Sequence, residues 1–402
     1  MKIIYSKFLK TFGLTVSFLL ITTGYAQKDY KYESLDTIIQ SFMSERNILG
    51  FATCIVKDNT LTWSKSYGLA DIGLNTPMSI DGIMNIGSIS KTFTTVAAMQ
   101  LWERGLLDLD RDINEYLDFK IRNPKYSDRP ITIFQILTHT SSIQDGPAYH
   151  HSYSCGDPTI SLYDWIYANL NSNGKYYNDG SNFTKLSPGD NKRYSNIAFG
   201  LLGLIIENVS KKPFNEYCQK HIFKPLGMDN TGWFLSEVDS SKHIKPYAYI
   251  TDHNKNELLE NKRLYTKDSK FEVNSFVENC LYSFPNYPDG LVRTSVRELS
   301  NYMIAIMNGG EYNGKRILKK DTIDKMLSLQ LKGNTSQGLC WHTYEFDSTS
   351  IHHTLWGHTG GDPGITTYLF FNKADNTGII TFQNTATSGG FDIIKEIYLT
   401  SK

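Results

Sequence analysis

The sequence predicts an α/β (α+β) fold in which an antiparallel sheet, flanked by helices from both chain ends, carries an inserted helical subdomain. Two observations predict the sheet: β-rich runs surround Asp58-Asn59 near the start of the chain, and others occupy residues 365–384 near its end. The third observation is that the intervening chain consists of helical stretches separated by loops rich in Gly, Pro, Asn and Tyr. We therefore expect a sheet subdomain at about 27–75 and 290–402 and a helical subdomain at about 76–289.

The predicted sheet subdomain begins with a helix and a hairpin. From Ser34 to Ile48 apolar residues recur at helical spacing, which is typical of a surface helix that covers a core. The runs GFATCIVK and TLTWSKSYG then flank Asp58-Asn59, a turn pair that favours a hairpin. At the other end, ITTYLFFNK and GIITFQN flank a second polar turn, and Phe391 to Leu399 have the pattern of a terminal helix.

The middle of the chain contains two clear helical runs, Thr92 to Arg104 and Ile197 to Val209. Between them lies an aromatic-rich stretch, Tyr149 to Tyr177, which has no clear period. Such a stretch could rim a pocket, but the absence of a period favours a plain surface loop.

Residues 1–26 have the order of a secretory signal peptide: three lysines, an apolar run from Phe12 to about Ile21, then small residues. The run falls short of the ~20 residues of a spanning helix, so we expect cleavage before Gln27 rather than stable membrane insertion. Losing three of the 41 basic residues leaves 38 against 41 acidic residues. This near balance predicts neither a nucleic acid nor an anionic membrane as a partner.

The five cysteines are scattered and form no CxxC pair, so they do not predict a disulfide scaffold. We interpret them as structural residues. An oxidising compartment would permit a disulfide, but the odd count leaves at least one free thiol.

Ser88 and Lys91 lie three residues apart just before the helical run FTTVAAMQLWE, so they share one helix face. A serine hydroxyl needs a neighbouring base to become a nucleophile, and a neutral lysine can be that base. At an ordinary pKa of ~10.4 only about one lysine in 2,500 is neutral at pH 7, so this role requires a desolvated or positively surrounded amine. The same spacing recurs at Ser172 and Lys175 in a loop, but only Ser88 opens a helix whose amides could serve an oxyanion hole.

Tyr194 and Asn196 form a second candidate pair, on a loop that leads into the apolar run IAFGLLGLIIENV. A phenol there can relay protons, and an asparagine amide can both donate to a ligand carbonyl and accept from a lysine. By itself the pair would equally suit a buried tyrosine with a capping asparagine.

The third candidate element is His358-Thr359-Gly360-Gly361, shortly before the predicted strand ITTYLFFN. Glycine on a strand lets another backbone approach closely. A substrate could therefore lie against this strand with its carbonyl oxygen at main-chain N–H groups.

Taken in order, Ser88/Lys91, Tyr194/Asn196 and His358-Thr359-Gly360 resemble the three motifs of the serine β-lactamase and penicillin-binding-protein superfamily. Further stretches resemble its class C β-lactamase, DD-peptidase and esterase branch: LWERGLLDLDRDINEYL, ITIFQILTHTSSI, YSNIAFGLLGLIIENVS, IFKPLGM and GLVRTSVRELSNYM. The resemblance runs from about Gly50 to Asn384 and implies a β-lactamase/transpeptidase-like fold and a bacterial serine hydrolase, periplasmic or secreted.

The resemblance also implies a role for each motif residue. Ser88 would be the nucleophile, and Lys91 with Tyr194 would be the general acid/base pair. Asn196 would orient Lys91 and the substrate amide, and the main-chain N–H groups of Ser88 and Gly361 would form the oxyanion hole. The remaining motif residues, His358, Thr359 and Gly360, would face the substrate.

His358 departs from the family pattern, since transpeptidases and most β-lactamases have lysine there. A histidine of ordinary pKa near 6.5 would be only about a quarter protonated at pH 7. This departure argues against strong β-lactamase activity and favours an esterase or amidohydrolase. If His358 binds an anionic group, the KM for such a substrate should fall as the pH drops from 8 to 6.

The predicted activity is metal-free and cofactor-free acyl transfer from a small-molecule or peptide substrate to water. The adjacent pairs His150-His151 and His352-His353 lack the i, i+4 spacing of a helical zinc site. Two alternatives stay open: a carboxylesterase of the same fold, and a peptide- or cell-wall-binding relative that has lost turnover.

Overall fold

A computed structural model describes residues 32–333, 336–348, 351–387 and 389–402. The predicted signal peptide lies outside these residues. Within them, no helix is both long and apolar enough to cross a membrane. The helices are α1 Glu33–Glu45, α2 Ser90–Glu103, α3 Ile133–Leu137, α4 Pro147–His150, α5 Leu162–Leu170, α6 Ile197–Ser210, α7 Phe214–Cys218, α8 Lys255–Glu260, α9 Val296–Met307, α10 Lys320–Met326 and α11 Phe391–Thr400.

Most of the longer strands come from the two ends of the chain, as predicted. The strands are β1 Gly50–Lys57, β2 Thr60–Asp71, β3 Thr76–Pro77, β4 Met84–Asn85, β5 Ser154–Cys155, β6 Tyr247–Tyr249, β7 Phe276–Glu278, β8 Tyr282–Ser283, β9 Arg293–Thr294, β10 Glu311–Tyr312, β11 Lys315–Arg316, β12 His342–Ser348, β13 Ile351–Asp362, β14 Ile365–Asn372 and β15 Thr377–Gln383. Seven of them form one antiparallel sheet in the order β12-β13-β14-β15-β1-β2-β3. The predicted antiparallel sheet is therefore confirmed.

The hairpin between β1 and β2 turns at Asp58 and Asn59, where φ is 49° and 60°. Positive φ at both central residues is the geometry of a type I′ turn, which Asx residues tolerate. The predicted hairpin is confirmed. The preceding helix ends at Glu45, three residues before the predicted Ile48, because Asn47 adopts a left-handed φ of 53°.

Strand β1 is buried on both faces of the sheet. Phe51 and Ile55 pack into a core with α1 and α11, whereas Ala52, Cys54 and Val56 face the core shared with α2, α6 and α9. Because α2 and α6 carry two of the candidate motifs, packing against the sheet fixes where those motifs lie. The subdomain boundaries near residues 75 and 290 remain predictions.

The aromatic-rich stretch is not the plain surface loop that the sequence predicted. It contains α5, which Ser161 caps by accepting a hydrogen bond from the Asp164 N–H at 3.0 Å. Trp165 and Ile166 on this helix are buried, and so is Tyr149. The helix is only nine residues long, which is too short for a clear period in the sequence.

One disulfide joins Cys155 to Cys280 across a sequence separation of 125 residues. It ties β5 to the segment after β7, where a small separate core forms around Ile250, Tyr265 and Val277. The other three cysteines are buried free thiols: Cys54, Cys218 and Cys340.

Candidate active site

Ser88 lies in a 3₁₀ turn, Gly87–Ile89, that leads directly into α2. The neighbouring Ser90 is buried and accepts a hydrogen bond from the Val292 N–H at 2.9 Å, which anchors the turn to the chain after Asp289. Ser90 therefore has a structural contact, while Ser88 lines a cavity of about 520 Å³.

Lys91 is completely buried and is the second residue of this helix, three residues after Ser88. Its Nζ lies 2.9 Å from Ser88 Oγ and 2.8 Å from the main-chain carbonyl oxygen of Asp289. The Asp289 carboxylate is close as well, with Oδ2 at 3.4 Å from Nζ. The predicted contact between Ser88 and Lys91 is present.

Burial alone would lower the pKa of Lys91, but the nearby Tyr194 and Asp289 raise it above its ordinary value. At neutral pH the charged neighbour is the Asp289 carboxylate, which holds Lys91 as an ammonium in the resting enzyme. A lysine base requires a desolvated or positively surrounded amine, as the sequence indicated; burial supplies the desolvation, but the neighbouring Asp289 carboxylate opposes it.

Tyr194 lines the same cavity and lies on the loop before α6. Its ring centroid is 5.0 Å from Lys91 Nζ and 4.4 Å from the ring centroid of His139. Burial raises the pKa of the Tyr194 phenol, and the charge of Lys91 with hydrogen bonds to Lys91 and Ser88 opposes that shift. The phenol therefore keeps its proton at neutral pH.

The third motif lies on β13, which packs closely against the Ser88 turn. A Cβ atom on Gly87 would be 2.8 Å from the Gly361 nitrogen, and one on Gly360 would be 2.0 Å from the Ile86 carbonyl oxygen. Only glycine allows this approach, which brings the Gly361 main chain beside Ser88. His358 and Thr359 line the cavity on the same strand.

A profile of the Beta-lactamase family matches residues 35–400, which include all three motifs. The chain belongs to the Beta-lactamase family. The expected family is therefore confirmed.

Two curated relatives are 25% and 29% identical to this Beta-lactamase family chain over the aligned residues. Beta-lactamase-like protein 4 of Dictyostelium discoideum is 25% identical over 398 residues, 91% of this chain and 63% of that protein. The D-alanyl-D-alanine-carboxypeptidase/endopeptidase AmpH of Escherichia coli K12 is 29% identical over 185 residues, 45% of this chain and 44% of AmpH. The chain thus spans less than two thirds of the length of these relatives.

Solved structures of the same fold have lower sequence identity. The octameric penicillin-binding protein homologue from Pyrococcus abyssi has a TM-score of 0.69 and 23% sequence identity. The alignment covers 92% of this chain and 77% of the homologue's chain. A D-amino acid amidase from Ochrobactrum anthropi SV3 has a TM-score of 0.67 at 20% identity, covering 88% and 95%. These likenesses confirm the β-lactamase/transpeptidase-like fold.

Asn196 does not make the predicted contact with Lys91 in this Beta-lactamase family chain. Within the described ranges its side-chain amide donates to Asp145 Oδ2 at 2.8 Å, and its main-chain N–H donates to Asp145 Oδ1 at 2.8 Å. Ser88 and Asp289 occupy the hydrogen-bond positions around Lys91 instead.

His358 is buried, and its Nδ1 lies 2.6 Å from the Thr359 carbonyl oxygen, to which it donates as a neutral imidazole. Burial lowers the pKa of His358 well below 6.5, and the nearby His342 and Lys91 lower it further. His358 is therefore neutral between pH 6 and 8. A fall in KM driven by its protonation, one of the outcomes considered from the sequence, is not expected.

Sequence reasoning missed four residues at this site. Lys192 and His342 line the cavity with Lys192 Nζ 3.4 Å from His342 Nδ1, and burial lowers the pKa of both. Asp289 and Tyr149 lie behind Lys91 and belong to no motif. Tyr149 fell in the stretch predicted as a surface loop.

The described ranges contain no group of three or more His, Cys, Asp or Glu side chains arranged to hold a metal ion. In the adjacent pair His352-His353, the Nδ1 atom of His352 lies 2.9 Å from Asp347 Oδ1 on the neighbouring strand.

Proposed function

We propose that this chain is an exported serine hydrolase that acts on an amide or ester carbonyl through a Ser88 acyl-enzyme. The observation that carries the proposal is the 2.9 Å contact between Ser88 Oγ and Lys91 Nζ at a cavity that Tyr194 and β13 also line. Nucleophile and proton carrier within hydrogen-bond reach are the signature of covalent catalysis.

In the proposed reaction, Ser88 Oγ attacks the carbonyl carbon while its proton leaves through Lys91. The oxyanion that forms accepts hydrogen bonds from the main-chain N–H groups of Ser88 and Gly361. Tyr194, which retains its phenolic proton, protonates the leaving group as the bond to the carbonyl carbon breaks. Water then attacks the acyl-enzyme by the same steps in reverse.

The substrate class is a D-amino-acid peptide or amide, a β-lactam or an ester. The names of the carboxypeptidase relative and the amidase neighbour support an amide adjoining a D-residue. The neutral His358 favours the alternative of a carboxylesterase, because a neutral ester needs no cation at that position.

Export is supported by two features of the chain. Residues 1–26 have the pattern of a signal peptide. The Cys155–Cys280 disulfide suits an oxidising compartment outside the cytoplasm. N-terminal sequencing of the secreted protein is expected to begin near Gln27, and an intact Met1 on cytoplasmic protein would contradict export.

Stopped-flow hydrolysis of an activated ester tests the enzymatic proposal. A hydrolase releases a burst of leaving group equal to the enzyme concentration and then turns over steadily. A binding relative without turnover would give no steady phase. A panel of D-alanyl dipeptides, D-amino-acid amides, short-chain esters and a chromogenic cephalosporin would then rank the substrate classes.

A further inference from the structure

Asp289 is a buried carboxylate directly behind the catalytic lysine, and no motif accounts for it. Its side chain is 3% exposed, at the end of the 3₁₀ turn Tyr287–Asp289. Burying a carboxylate costs free energy unless charges and hydrogen bonds compensate. Here Lys91 provides the cation, with Nζ 3.4 Å from Oδ2.

Two further side chains hold the Asp289 carboxylate in this position. Tyr149 OH donates to Oδ2 at 2.8 Å, and Asn286 Nδ2 donates to Oδ1 at 2.9 Å. The Asn286 amide is itself oriented, because its Oδ1 accepts from Trp165 Nε1 at 3.1 Å and its Nδ2 also donates to the Asn196 carbonyl oxygen at 2.9 Å. The carboxylate is thus fixed with one oxygen toward Lys91.

Lys91 lies between this carboxylate and the nucleophile. A lysine ammonium has three N–H donors, and three acceptors surround Nζ: Ser88 Oγ, the Asp289 carbonyl oxygen and Asp289 Oδ2. One N–H of Lys91 therefore points to the Asp289 carboxylate, and another N–H points to Ser88 Oγ. Loss of a proton to Asp289 leaves a neutral amine within 2.9 Å of Ser88 Oγ, and this amine can receive the Ser88 proton.

We propose that Asp289 is a positioning residue that acts through Lys91 and receives the proton of Ser88 during acylation. The inference rests on the proposed Ser88 acyl-enzyme. In this step a Lys91 proton passes to Asp289, and the amine that results takes the Ser88 proton as the bond between Ser88 Oγ and the carbonyl carbon forms. Lys91 begins and ends the step as an ammonium.

Collapse of the intermediate returns this proton. Tyr194 donates its phenolic proton to the leaving group as the bond to the carbonyl carbon breaks, and the resulting phenolate is reprotonated from Asp289 through Lys91. The Ser88 proton has then moved to the leaving group, and Asp289 is again a carboxylate.

Asp289 is a better final acceptor of the Ser88 proton than Lys91, because only Asp289 is unprotonated at neutral pH. The resting lysine is an ammonium, whereas burial raises the pKa of Asp289 to about 6, against the effects of Lys91, Asn286 and Tyr149. Asp289 is therefore ionised at pH 7 to 8, and a base works best when its pKa lies close to the working pH.

Titratable groups that face Asp289 from the elements packed around it include Lys91 on α2, Tyr149 on α4, Asp145 before α4, Tyr153 before β5 and Asp362 at the end of β13. Burial also raises the pKa of Asp362, to about 7, so a pH profile alone would not separate the two carboxylates. Substituting Asp289, and separately its hydrogen-bond donor Tyr149, distinguishes the titration of Asp289 from that of Asp362.

Asp289→Asn keeps the size of the side chain and removes the base. We measure the second-order rate constant for labelling of Ser88 by a fluorophosphonate from pH 5 to 10, and the KM of a neutral ester. The wild-type rate is expected to rise through pH 6 and level off. In Asp289→Asn the labelling rate constant should fall by about a hundredfold or more at pH 7.5, and the KM of the ester should change little. The rise of the rate through pH 6, here called the pH step, should disappear, and the rate should increase only at alkaline pH.

Tyr149→Phe keeps Asp289 and removes one donor to its ionised form. Its pH step is expected to move upward, because the Tyr149 hydrogen bond lowers the pKa of Asp289. The matched control is Tyr126→Phe, whose hydroxyl donates to the Lys185 carbonyl oxygen at the surface and whose profile should equal that of the wild type. This pair of variants decides the question even if Asp289→Asn fails to fold.

The inference is overturned if Asp289→Asn keeps the wild-type rate or the step near pH 6, or if Tyr149→Phe leaves the step in place or moves it downward. A wild-type protein that is never labelled at Ser88 would instead contradict the proposed function itself.

Discussion

Lys192 is the residue of the cavity most suited to recognise an anionic group on the substrate. The neighbouring His342 and His358 are neutral at pH 7, because burial lowers the pKa of both. We expect Lys192→Gln to weaken binding of a substrate that ends in a carboxylate and to leave binding of a neutral analogue unchanged.

The magnitude follows from the exposure of Lys192. Its Nζ lies 3.4 Å from His342 Nδ1 at the cavity, yet the residue as a whole is exposed, so water screens its charge. A screened contact of this kind is worth about 1 kcal/mol, which corresponds to about a fivefold rise in KM. The effect should shrink further at high salt, because screening of exposed charges increases with ionic strength.

The assay compares a D-alanyl dipeptide that has a free carboxylate with the same dipeptide amidated at its C-terminus. KM and kcat are measured for wild type, Lys192→Gln and the control Lys315→Gln, which removes an exposed lysine on β11. Equal KM values for the carboxylate substrate in wild type and Lys192→Gln would refute the reasoning. An equal rise for both substrates would show a steric effect rather than a loss of charge.

Three further predictions follow from the geometry. First, an imidazole of ordinary pKa would pass from about 76% to 3% protonated between pH 6 and 8, a change of about 25-fold. Because the buried His358 stays neutral over that range, the ratio of the KM values for the two dipeptides should not change with pH in the wild type. Replacing Cys155 and Cys280 by serine should lower the free energy of unfolding by up to about 5 kcal/mol, by the entropy of a 125-residue loop, and urea denaturation with and without reductant measures this. Gly87→Ala should slow labelling of Ser88 by about a hundredfold, because the new Cβ would lie 2.8 Å from the Gly361 nitrogen and the residue has a φ of +52°. A labelling rate equal to that of the wild type would contradict this oxyanion-hole geometry.

The sequence predicted those features that depend on local patterns. The Asp58-Asn59 hairpin, the terminal helices and the apolar strand β14 each have a signal within a short window, through turn chemistry or hydrophobic period. The Ser88/Lys91 contact was also predictable, because three residues of a helical turn determine it.

The surroundings of Lys91 could not be predicted in this way. Asp289 lies 198 residues from Lys91 in the sequence and 140 from Tyr149, so only the folded chain brings the three together. The same holds for the charge of His358, since its lowered pKa depends on burial and on distant neighbours rather than on its own motif. For Asn196 the motif predicted a contact with Lys91, whereas Asp145 binds the amide instead.

The central claim is that Ser88 forms the covalent intermediate. The most direct test is to label the protein with a fluorophosphonate or a penicillin and to locate the adduct by peptide mapping. The adduct is expected on Ser88 alone, not on the buried Ser90 or on Ser172, which shares the spacing to a lysine, and Ser88→Ala should neither label nor turn over. Normal labelling and turnover in Ser88→Ala would contradict the account.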